Sequence, residues 1–107
     1  MSDVSLEKGV KNCLLLVNST TSMILIPDNG IKFIHAESAT VIAIYFYGDN
    51  GVEGSTNITV TTGKADDVLL ELAELLPKQR GVITVGDDVN GIYLPNVEAV
   101  AAITYSD

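Results

Sequence analysis

The sequence predicts an α+β protein that is mainly β: an antiparallel sheet or small open barrel of about seven to eight short strands, with one covering helix at about 65–76. Three observations carry this. Apolar residues recur with the period of two expected of strands, as in MILIP, IKFIH and NITVT. Asparagine, aspartate and glycine cluster between these runs, at Asp28-Asn29-Gly30, Asp49-Asn50-Gly51 and Gly86 to Gly91, where turns need residues that tolerate positive φ. Only the stretch from Ala65 switches to a helical period. No linker, charge block or low-complexity tract divides the 107 residues, so 1–107 reads as a single domain. A domain of this size buries about 60–70% of the surface its unfolded chain exposes and needs no disulfide or metal to fold.

The first strand is VKNCLLLV at 10–17, followed by a polar turn from Asn18 to Ser22 and a second strand, Met23 to Pro27. Asp28-Asn29-Gly30 leads into a third, Ile31 to His35. The run TVIAIYFY, Thr40 to Tyr47, is apolar on both alternating faces, with Val41, Ala43, Tyr45 and Tyr47 on one and Ile42, Ile44 and Phe46 on the other. Such a strand is central, or its second face is covered by another subunit. Val52 to Ser55 reads as a loose loop. Asn57 to Thr61 then forms a half-buried strand with Ile58 and Val60 inward.

On the helix, Ala65, Val68, Leu69, Leu72, Ala73, Leu75 and Leu76 share one side, and Asp66, Asp67, Glu71 and Glu74 the other. Leu70 interrupts the acidic side and is a possible subunit contact, as are Tyr45 and Tyr47. Pro77 stops the helix from running far. Three strand candidates follow at 81–85, 92–95 and 98–105, the last rich in alanines that suit close packing under the helix.

Six basic residues against fourteen acidic ones give a net charge of −8, with no basic patch. Nucleic acid and anionic membrane surfaces are therefore not expected partners, because both are bound through lysine and arginine. The start MSDVSLEKG has no apolar core behind a basic end, and no run approaches the ~20 apolar residues that span a bilayer. The expected location is the cytoplasm of the producing cell, or a virion, without secretion by a signal peptide. Charged residues make up 19% of the chain where roughly 25% is usual. That shortfall leaves apolar surface for a partner, and self-association is the expected use of it.

Four groups of residues invite a chemical reading. Thr59 to Pro77 runs from a strand through Gly63-Lys64 into a helix, the layout of a phosphate-binding loop. That motif needs two glycines separated by four residues and a hydroxyl after the lysine, whereas eight residues separate Gly54 from Gly63 and Ala65 stands in the hydroxyl position. Asp66 and Asp67 would also repel a phosphate, so this is a helix start, with Thr62 or Gly63 as its cap. Asp87, Asp88 and Asn90 before Gly91 loosely suggest a cation loop, but with Gly91 as the loop's sixth residue its twelfth is Val97 and not the required glutamate, and a hairpin loop is the better account. His35 could join Glu37 at a metal, and Cys13 could act with His35 as nucleophile and base. The lone cysteine lacks a glycine or helix start to expose and activate it, and reads as a buried thiol. No catalytic, cofactor-binding or metal residue is assigned.

The segments LIPDNGIKFIHAESA, TVIAIYFYG, NITVTTGKADDVLLELAELL and GVITVGDDVNGIYLPNVEAVAAITY follow one another in an order that resembles a group of small proteins encoded among the structural genes of tailed bacteriophages, including marine ones. The likeness runs from Asn18 onward. It implies a β-rich virion or assembly-associated protein with no active-site residues to carry over. The leading expectation is thus a non-enzymatic, self-associating structural or accessory protein. The alternative is a small ligand-binding or regulatory module, with Tyr45, Tyr47, Tyr93 and Tyr105 lining a pocket between helix and sheet. An enzyme would require Cys13, His35 or a carboxylate pair to converge in one cleft.

Overall fold

The computed structural model describes residues 12–48, 52–78 and 81–105. The Asp49-Asn50-Gly51 turn and the start of the first expected strand, residues 10 and 11, lie outside them. The strands are β1 (Cys13–Ser19), β2 (Ser22–Pro27), β3 (Ile31–Ala36), β4 (Val41–Tyr47), β5 (Glu53–Val60), β6 (Val82–Asp87), β7 (Ile92–Tyr93), β8 (Val97–Val100) and β9 (Thr104–Tyr105). The helix α1 spans Ala65–Lys78, and Asp28–Gly30 forms one 3₁₀ turn between β2 and β3.

These strands form two sheets rather than one sheet or a barrel. The first has the order β2-β1-β6-β7; the second has the order β3-β4-β5-β8, with β9 pairing a different stretch of β5. Every pairing is antiparallel except β1 with β6. That one parallel pair joins strands far apart in the sequence, β6 entering the first sheet after α1 has carried the chain over from β5 in the second.

One apolar core joins both sheets and the helix. Leu14, Leu16, Ile26, Ile83 and Val85 come from the first sheet; Ile42, Ile44, Phe46, Ile58 and Val60 from the second; Val68 and Leu72 from α1. The strand phases read from Ile42, Ile44, Phe46, Ile58 and Val60 hold, because in a two-sheet sandwich each strand turns alternate side chains inward.

Three expectations are corrected. The expected loop at Val52 to Ser55 is strand from Glu53, because Tyr47↔Glu53 and Phe46↔Gly54 continue the β4–β5 ladder. A Cβ on Gly54 would lie 2.4 Å from the Phe46 ring, so this glycine makes room for a core aromatic instead of marking a turn. The expected strand at 98–105 is broken at Ala101–Ile103, raising the strand number to nine among the described residues. The break satisfies buried polar groups: the Thr56 hydroxyl, facing the core, donates to Ala101 O at 3.1 Å, and Ile103 N–H donates to Ser22 Oγ at 3.1 Å in the other sheet. Finally, α1 packs beside β3, not over the alanines of the last strands, and Ala101 and Ala102 are exposed.

Candidate functional site

The residues that suggested chemistry lie apart or are occupied. Cys13 is on β1 and His35 on β3, in different sheets. Cys13 is half-buried rather than fully buried. His35 Nε2 lies 3.9 Å from Glu37, and its ring packs near Phe33 and Tyr45. Among the described residues, no group of three or more His, Cys, Asp or Glu side chains is placed to hold a metal ion.

At the start of α1, Gly63 takes a left-handed φ of 82°, and Val68 N–H donates to Lys64 O at 3.1 Å. The capping position therefore falls to Lys64, just after the expected Thr62 or Gly63. Its side chain can donate but not accept, so it leans along the first turn toward Asp67 Oδ2 at 3.6 Å.

Asp87 and Asp88 are hydrogen-bond acceptors for their own loop. Asp87 Oδ1 accepts from Val89 N–H and Asn90 N–H at 3.0 Å, and its Oδ2 accepts from Asn90 Nδ2 at 2.9 Å. These donors, the Asn90 side chain foremost, hold the Asp87 carboxyl below its ordinary range. Asp88 Oδ1 accepts the Tyr93 hydroxyl at 2.7 Å, and its carboxylate also meets Val100 N–H at 3.2 Å. The hydrogen bond to that carboxylate raises the Tyr93 phenol. With these oxygens engaged, the loop is a staple between the two sheets.

The surface that gathers unsatisfied apolar area lies at one end of the sandwich. Ile24, Leu25 and Pro27 of β2 face Tyr47, Gly48 and Val52 of the β4–β5 end and Tyr105 of β9 across a cleft of about 680 Å³. Leu25, Tyr47 and Tyr105 are 51%, 54% and 56% exposed there. Lys32 and Glu53 form an ion pair at its border, with the Lys32 ammonium 5.9 Å from the centre of the Tyr47 ring. The hydrogen bond to Glu53 raises the Lys32 ammonium above its ordinary value.

Of the expected contact residues, Tyr47 lines this cleft. Tyr45 lies on the same outer face of β4, stacked on Phe33 with ring centres 4.6 Å apart, and lines a neighbouring hollow with Ser55 and Tyr105. Leu70 belongs elsewhere: it is 60% exposed on α1 and lines none of these depressions. Sequence reasoning missed Met23 and Leu25. The signal was present in SMILIP, a strand without one charged residue, but the unbroken apolar run after Ser22 conceals which of its residues face water.

A second groove of about 410 Å³ runs between α1 and β3, lined by Ile31, Ile34, Leu69, Leu72, Ala73 and Leu76. The four tyrosines expected in a helix–sheet pocket are absent from its lining. Tyr45, Tyr47 and Tyr105 belong to the β4–β5–β9 surface, and Tyr93 to the Asp88 staple.

No protein-family model, curated protein or solved structure matches the chain.

Proposed function

We propose that this chain is a non-enzymatic, self-associating structural or accessory protein, of the kind found in the virions or assembly of tailed bacteriophages. The observation that carries self-association is the clustering of Leu25, Tyr47 and Tyr105 around one cleft beside β2, each more than half exposed. Scattered exposed apolar residues are ordinary on a monomer, whereas a contiguous group containing two tyrosines has the make-up of an interface centre. The phage setting rests on the resemblance in segment order. Static light scattering over a concentration series tests the reading: the mass rises above 11.3 kDa with concentration.

A second reading is favoured by the groove between α1 and β3. Its lining side chains are all apolar, so it suits a small apolar ligand. Ala73→Trp would fill this groove. If it is a binding site, the variant loses binding of an apolar fluorescent dye that the parent chain retains.

A further inference from the structure

We infer that β2 is the self-association element, and that it pairs edge to edge, antiparallel, with β2 of a second copy about a two-fold axis. This inference rests on the self-association reading and names its surface.

The hydrogen-bond pattern says which way each residue of β2 points. Asp28 N–H donates to Asn12 O at 2.8 Å, and the register places Cys13 opposite Pro27. Alternation along an antiparallel pair then makes Leu14 with Ile26, and Leu16 with Ile24, the bonded pairs. Cys13 N–H confirms the phase from the other side of β1, donating to Gly81 O next to β6 at 3.0 Å. The main-chain N–H and C=O groups of Met23 and Leu25 therefore point away from β1. Among the described residues no strand pairs with that side of β2.

The other sheet edges carry devices that oppose pairing. β3 has the exposed Lys32 at a bulge and α1 packed beside it. β7 is two residues long, and the β8–β9 edge is broken at Ala101–Ile103. β2 is six residues long, uncharged and apolar after Ser22, and its only register shift is at the hairpin end. An edge of this kind is a template for another strand.

That template complements itself. Pairing Met23 with Leu25 of a second copy uses the outward N–H and C=O of both residues and places the axis at Ile24. Pro27, which has no N–H, lies where the ladder ends. Symmetric use of one patch closes the assembly at a dimer. The second copy also approaches the cleft in which Leu25, Tyr47 and Tyr105 are exposed. A six-residue edge is only about 20 Å long. The strand contact is thus at the small end of specific ones, below about 1,200 Å² in total, and a weak, concentration-dependent dimer is expected.

Sedimentation velocity from about 1 to 200 µM, with circular dichroism as the folding control, tests this on the parent chain, on Leu25→Pro and on Met23→Lys combined with Leu25→Lys. Leu25→Pro deletes one outward N–H; the double variant keeps every N–H and crowds lysines across the axis, so it decides the matter if the proline variant does not fold. The expected result is a parent chain that passes from monomer to dimer and folded variants that stay monomeric, their apparent association constants lowered at least tenfold. A dimer that persists in the folded double variant overturns the β2 edge and leaves self-association standing. A parent chain that is monomeric throughout overturns both.

Discussion

The Asp88 carboxylate accepts the Tyr93 hydroxyl at 2.7 Å and, in the same position, meets Val100 N–H at 3.2 Å. Val100 C=O is held in turn by Asn18 Nδ2 at 2.7 Å. Side chains of the first sheet and its loops therefore bind both backbone groups that Val100 turns away from β5. Asp88→Ala strands the Val100 N–H and the Tyr93 hydroxyl, and a hydrogen-bonded charge in such a role is worth about 1.5–3 kcal/mol. Urea unfolding should show the midpoint falling by that loss divided by the slope, the slope itself unchanged.

The loop also gives stability a defined pH dependence. Asp87 has its carboxyl lowered from the ordinary 3.8 by the Asn90 side chain and backbone and by Val89 N–H. Its contribution is present above the unfolded value and is lost as pH falls through the lowered folded value. Tyr93 is raised from 10.0, so its contribution is complete below that value and is lost as pH rises through the folded one. Carboxyl-carbon NMR should place Asp87 below 3.8, moving upward in Asn90→Ala. Ultraviolet titration should show a late-ionising tyrosine that Asp88→Asn returns to normal.

Gly54 lies under the Phe46 ring, with 2.4 Å between the ring and the position of a Cβ. Gly54→Ala forces the ring aside in a filled core and should cost roughly 1–3 kcal/mol by thermal or urea unfolding. Gly63→Ala meets no neighbour within 4 Å and suffers only from its left-handed backbone, so its cost should be about 1 kcal/mol.

Leu70 is an isolated apolar residue on a helix side that also carries Asp66, Asp67 and Glu74. With the contact at β2, Leu70→Glu should leave the association constant within about twofold of the parent chain by sedimentation, since a lone exposed leucine contributes little. A loss of association in this variant would move the interface to α1.

The residues of β1 to β4, the core phase of β5 and the helix were legible in the sequence because their apolar period is local. The division into two sheets was not, because it depends on where α1 delivers β6, a long-range choice that no local period records. The break at Ala101–Ile103 depends on Thr56 and Ser22, residues 45 and 81 positions away. At the candidate site, Tyr47 was visible as part of a strand apolar on both faces. Leu25 was hidden, since SMILIP does not reveal that β2 is an edge strand.

Self-association is tested most directly by light scattering of the parent chain at rising concentration. The expected mass is near 11.3 kDa at about 1 µM and approaches twice that value by about 200 µM, as a weak dimer with a small interface requires. A mass that stays at 11.3 kDa throughout would contradict it.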